Sequence, residues 1–102
     1  MNSQPADNGL GSWPARRARM EPEAIALTEG SRQLTYRQLR DRSASLASAL
    51  AALAAGPGDR VAYLGPNGIA TFETLFAAAS LGAIFVPLNT RLALFAKETT
   101  LL

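Results

Sequence analysis

Gly56-Pro57-Gly58-Asp59-Arg60-Val61-Ala62-Tyr63-Leu64-Gly65-Pro66-Asn67-Gly68 opens the stretch that decides the fold, and Gly82-Ala83-Ile84-Phe85-Val86-Pro87-Leu88-Asn89-Thr90 closes it. Residues 61–64 and 84–86 are short apolar runs bounded by Gly and Pro, the pattern of strands buried on both faces. The segment between them is longer than the dozen or so residues that a parallel crossover needs, and Ile69, Phe72, Phe76 and Ala79 recur at helical spacing within it. The stretch therefore reads as a βαβ unit. A right-handed crossover brings Leu64-Gly65-Pro66-Asn67 and Val86-Pro87-Leu88-Asn89 to one carboxyl edge of a sheet, where open α/β sheets bind ligands.

Working upstream, Thr35 followed three residues later by Gln38 predicts a capping box, with Leu34 and Leu39 spaced as its hydrophobic staple. A helix is expected from Tyr36, with Tyr36, Leu39, Ser43, Leu46, Leu50 and Leu53 as its stripe and Gly56 as its stop. That stripe is too short for a coiled-coil seam, so packing within the chain is the simpler use. Before it, Ile25 and Leu27 on one face, the turn chemistry of Glu29-Gly30-Ser31-Arg32 and the extended Gln33-Leu34 predict a hairpin. Residues 13–20 suit a short helix with Pro14 in its first turn and Trp13, Ala15 and Ala18 on its apolar side. Its Arg16, Arg17 and Arg19 could meet an acidic partner or a membrane surface, but so few charges fit a solvated face better. Residues 1–12 read as a mobile leader.

The totals narrow the chemistry. The 102 residues include no Cys and no His, which removes disulfides, thiolate and imidazole metal ligands, and the nucleophiles and bases built from those side chains. A net charge of +2 is carried by Arg spread along the chain, with Lys97 the single lysine, and the clustered basic face of a nucleic-acid reader is missing. The polar start has no apolar run of a secretory signal, so a cytoplasmic protein is expected. Residues 69–88 approach a membrane span in length, yet Glu73, Gly82 and Pro87 interrupt them, and helix followed by strand accounts for those breaks.

No residue stands out as catalytic, cofactor-binding or metal-ligating. Asp59 beside a tight turn fits a role on backbone donors, and Arg60 at a strand entrance fits a solvated or locally paired cation. Asn67 or Gly68 would cap the crossover helix, whose N-terminal N–H groups suit an anion. Gly65-Pro66-Asn67-Gly68 is nevertheless neither a dinucleotide fingerprint nor a P-loop. Ala77, Ala78 and Ala79 permit close helix-to-sheet packing, and Gly82 ends the helix.

Leu34-Thr35-Tyr36 with Leu39, Gly58-Asp59-Arg60-Val61, Pro66-Asn67, Phe76-Ala77-Ala78, Gly82-Ala83 and Val86-Pro87-Leu88-Asn89-Thr90-Arg91 occur in this order. The ordered set resembles the amino-terminal part of the adenylate-forming acyl-CoA synthetases, with a close likeness to bacterial fatty-acid–CoA ligases. It extends over about 10–92, and each piece taken singly is ordinary loop, strand or helix chemistry. The resemblance implies an α/β fold: a partial parallel βαβ sheet preceded by a hairpin and a long amphipathic helix. The expected organisation is a leader over 1–12, part of the N-terminal domain over 13–92, and a divergent tail over 93–102.

The same resemblance implies an enzyme that joins a carboxylic acid to ATP with Mg²⁺, releases pyrophosphate and passes the acyl group to coenzyme A. The family's Ser/Thr/Gly-rich phosphate loop ending in Pro-Lys, its acidic Mg²⁺ residue, its ribose-binding Asp and its late catalytic Lys have no counterpart among these residues. Lys97 follows no Gly-rich loop and inherits neither lysine role. The chain is therefore expected to be a ligase fragment, inactive and without bound cofactor by itself, whose partner is the remainder of the ligase. A truncated or frame-shifted reading near Leu92 would explain the tail. The alternative is a free-standing, non-catalytic α/β interaction module derived from that fold.

Overall fold

The computed structural model describes residues 9–88. A 3-10 turn, Leu10–Ser12, leads into helix α1, Trp13–Met20, and then into the hairpin of β1, Ile25–Glu29, and β2, Arg32–Thr35. Helix α2, Tyr36–Ala52, follows directly. Strand β3, Arg60–Leu64, helix α3, Ile69–Ser80, and strand β4, Ile84–Leu88, complete the described chain. The strands form two separate pairs, β1 antiparallel to β2 and β3 parallel to β4. The hairpin, the long helix and the parallel βαβ unit of the α/β reading are all present.

The start of α2 follows from its sequence. The Thr35 hydroxyl accepts from the Gln38 N–H at 3.1 Å, and the Gln38 side-chain oxygen accepts from the Thr35 N–H at 2.8 Å. Two donors that a helix N-terminus would otherwise leave orphaned are thereby satisfied. Leu34 and Leu39, on either side of the cap, are both buried and join Ile69 and Phe76 in the core, with Trp13, Ala26 and Leu27 packed against it. Trp13 stacks on Phe76 with ring centroids 5.5 Å apart and meets Tyr36 edge-on at the same distance, which seats α1 across α2 and α3.

Four local expectations change. Ile25 and Leu27 do not share a face, because a bulge between them breaks the alternation; Ala26 and Leu27 turn inward and Ile25 is exposed. Helix α2 does not run to Gly56. Ala54, at φ 70°, reverses the chain, and the Ala55 N–H donates to the Leu50 carbonyl while the Ala54 N–H donates to that of Ala51. This is a Schellman ending built on a residue with a Cβ. The lower half of the α2 stripe is also less covered than its periodicity suggests, with Leu39 and Ser43 buried but Leu53 81% exposed. On α3 the buried face is rotated by one position, so Phe72 is exposed and Glu73 is buried.

Leu10–Ser12, placed in the leader by sequence, is seated on α3 so closely that a Cβ on Gly11 would lie 2.5 Å from the Ser80 nitrogen. The remainder of the leader, and Asn89, Thr90, Arg91, Lys97 and the 93–102 tail, lie outside the described residues.

Candidate functional site

The sequence directs attention to the carboxyl edge of β3 and β4, and the structure assembles that edge. Leu64 pairs with Leu88 in the parallel register, and the Gly65 N–H donates to the Leu88 carbonyl at 3.4 Å, so both strand ends meet. Beyond them the 65–68 loop is fastened by its own groups. The Tyr63 hydroxyl donates to the Pro66 carbonyl at 2.9 Å, and a Cβ on Gly65 would lie 2.9 Å from that hydroxyl oxygen. Thr71 Oγ1 accepts from the Gly68 N–H at 3.1 Å and lies 3.4 Å from the Pro66 carbonyl, to which it donates.

Gly68 is the residue that precedes α3, as one of the two expected alternatives, and it has no side chain with which to cap the helix. The acceptor comes from 40 residues away: Glu29 Oε1, at the tip of the hairpin, accepts from the Ile69 N–H at 2.9 Å. The anion suited to this helix end is thus a carboxylate of the chain itself, favoured by the orphan donors and the positive end of the helix dipole. Glu29 sits so tightly here that a Cβ on Gly68 would lie 2.6 Å from its carboxylate. No local pattern singles out Glu29. The one signal was a question of hydrogen-bond accounting, since a Gly cap leaves α3 in need of an outside acceptor.

These residues do not fit a nucleotide phosphate or its metal. The helix terminus that would receive a phosphate already holds Glu29, and among the described residues no three Asp or Glu side chains group closely enough for a metal ion. Asp59 behaves as a turn residue, accepting from the Gly56 N–H at 2.8 Å. A recess of about 240 Å³ among the helices is lined largely by Pro14, Ala15, Ala47 and Phe76. Ser43 also borders it, with a buried hydroxyl that has no hydrogen-bond partner among the described residues. This composition is that of a packing gap, with no set of convergent polar groups for chemistry.

Two ion pairs join elements far apart in sequence. Glu73 of α3, buried, meets Arg42 of α2. Its hydrogen bond and charge raise the Arg42 pKa above the ordinary guanidinium value. The pair explains the rotation of α3: turning Glu73 toward α2 gives a buried carboxylate a charged donor and leaves Phe72 outward. In the first turn of α2, Arg37 holds Glu23 through two hydrogen bonds of 2.9 Å. Hydrogen bonding to Arg37 lowers the Glu23 pKa, and the pair ties the approach to β1 onto the first turn of α2. Both are structural clamps. Arg42 and Glu73 border a shallow open recess of about 430 Å³ with Asp41, Ser45 and Leu46, where each charge is already engaged by its partner across the two helices.

A βαβ unit following a hairpin and a capped helix, with its carboxyl edge held by its own side chains, defines part of an α/β domain with a parallel sheet. The chain belongs to the AMP-binding enzyme family, whose model matches residues 14–99. That match continues past Leu92 into the segment read as a divergent tail. A feruloyl-CoA synthase of Amycolatopsis sp is 59% identical over 86 residues, covering 84% of this chain and 18% of the relative. A long-chain fatty-acid–CoA ligase of Mycobacterium tuberculosis is 42% identical over 84 residues, covering 79% of this chain and 17% of that one. Among solved structures, the N-terminal domain of FACL13 from Mycobacterium tuberculosis superposes with a TM-score of 0.80 at 38% identity. The superposition covers 91% of this chain and 23% of that domain. The chain corresponds to the N-terminal part of the adenylate-forming acyl-CoA synthetases, and it spans less than a fifth of the length of the curated relatives it matches. Among the described residues no helix is long and apolar enough to cross a membrane.

Proposed function

We propose that residues 13–92 are a scaffold part of an ATP-dependent acyl-CoA ligase, which joins a carboxylic acid to AMP with release of pyrophosphate and then forms the acyl thioester of coenzyme A. The part described has no catalytic role of its own and is inactive alone; ATP, Mg²⁺ and coenzyme A are handled by the remainder of the ligase, its partner in the cytoplasm. The observation that carries this reading is the 59% identity to feruloyl-CoA synthase, combined with an α3 terminus already filled by Glu29. Stabilising the transferring phosphates requires preorganised cations and donors, and the Ile69 N–H at the described ligand edge is already engaged by Glu29.

The test is pyrophosphate exchange into ATP with ferulate and with a long-chain fatty acid as acids. The 102-residue chain alone gives no acid-dependent exchange above an enzyme-free blank. A chimera in which residues 14–88 replace the matching segment of the Amycolatopsis enzyme retains exchange with ferulate. Exchange by the isolated chain, or a folded chimera without any, would overturn the proposal.

A further inference from the structure

The β3–β4 pair is covered on one side only. Parallel neighbours point their side chains the same way, so Val61 and Phe85 share the face on which α3 packs, while Arg60, Ala62, Leu64, Ile84, Val86 and Leu88 share the opposite one. Val61 is 8% exposed, but Leu64 is 61% and Ile84 50% exposed. Parallel strands occur almost only where both faces are buried, and a lone pair of strands has little stability of its own. The α3 face is covered in part by this chain; the other face is apolar from Ala62 and Ile84 to Leu64 and Leu88, with Arg60 the one charged side chain, at its amino end.

We propose that this second face is the docking surface for the remaining part of an adenylating N-terminal domain, which lays apolar side chains against Leu64 and Ile84 and completes a sheet with two covered faces. The inference rests on the ligase reading, and it adds where the two parts join. Its occupant is indicated by the neighbouring N-terminal domains: this chain accounts for 22% of one and 23% of another, so more than three quarters of the same domain is available to lie on that face. A second copy of this chain is the competing occupant. It would have to bring another sheet face of the same kind, and it would leave both pairs of strands without a helical layer on that side.

Hydroxyl-radical footprinting tests the join without reference to activity. The isolated chain and the feruloyl-CoA synthase chimera are oxidised in parallel, with Val61 as an internal standard buried in both. Leu64 and Ile84 should be modified readily in the isolated chain and at least fivefold more slowly in the chimera. Equal rates in the two proteins would overturn the proposal. So would protection of both residues in the isolated chain that disappears on dilution, because a second copy would then be the occupant. Ile84→Lys supplies the independent arm: it should leave the far-ultraviolet circular dichroism of the isolated chain unchanged and lower the yield of soluble chimera. A chimera that tolerates Ile84→Lys without loss refutes the docking surface. A chimera that protects Leu64 and Ile84 but performs no pyrophosphate exchange sustains the docking surface and refutes the ligase reading instead.

Discussion

The two sides of α3 behave differently. Toward α2 and the hairpin, Leu34, Leu39, Ile69 and Phe76 close around one another, with Leu39 and Ile69 almost completely covered. Toward β3 and β4, the same helix covers one face of a sheet whose other face leaves Leu64 and Ile84 half or more exposed. Both regions carry equally strong apolar patterns, so hydrophobicity does not separate them. The first has all its partners within 70 residues of chain, and the second needs a layer that the described residues do not supply. An apolar pattern states that a face will be buried; only the rest of the fold states by what.

The largest expected effect tests that contrast directly. Leu39→Ala should lower the unfolding free energy by about 2–5 kcal/mol, since a fully buried Leu loses its transfer energy and leaves a cavity. Ile84→Ala in the same chain should change stability by less than about 0.5 kcal/mol, as expected of a largely solvated side chain. Urea titrations followed by Trp13 fluorescence, with Trp13 resting against Phe76, measure both. Comparable losses for the two variants would erase the distinction between a closed and an open side.

A smaller effect belongs to the entrance of the closed side. Thr35→Ala removes the side-chain acceptor of the capping box and should cost about 1 kcal/mol. A urea midpoint that stays put, with the slope of the transition unchanged as well, would mean that the Gln38 half of the box holds the helix end unaided.

How legible each region was follows from the range of its contacts. The capping box, the staple, the hairpin turn and both strands of the βαβ unit are written in signals a few residues long, and each appears where its pattern places it. Glu29 on α3 spans 40 positions and Arg42 to Glu73 spans 31, and neither pair leaves a local trace. The Phe72 and Glu73 exchange has the same origin. Ile69, Phe72 and Phe76 form a better stripe than one through Glu73, until the charge on α2 is in place to receive a carboxylate. The helix end that the pattern marks as suited to an anion shows the same limit, because the carboxylate that meets it comes from another element.

The two helix endings repeat the contrast on the scale of single residues, and they give the smallest effects. Helices α2 and α3 both finish in the same hydrogen-bonded motif, with Ala54 and Gly82 in the left-handed position at φ 70° and 72°. A residue with a Cβ is disfavoured there by roughly 1–2 kcal/mol. Glycine recovers that amount but loses roughly 0.5–1 kcal/mol to the greater freedom of the unfolded chain. Ala54→Gly should therefore stabilise by about 0.5–1 kcal/mol, the net of those two contributions. Gly82→Ala should destabilise by a similar amount, about 0.5–1 kcal/mol, through the same backbone preference acting in reverse. Contact does not spoil the symmetry, because a Cβ on Gly82 would lie 3.4 Å from the Pro57 Cα, an ordinary separation. The signs should differ while the magnitudes match. If α2 frays beyond Leu50 in solution, where Leu53 has little to pack on, Ala54 is not held in the left-handed conformation and Ala54→Gly will give no gain. Thermal unfolding of the two single variants and the double variant separates these cases: a double variant equal to the unsubstituted chain is the expected result, and one as unstable as Gly82→Ala alone would show that the α2 ending is not formed.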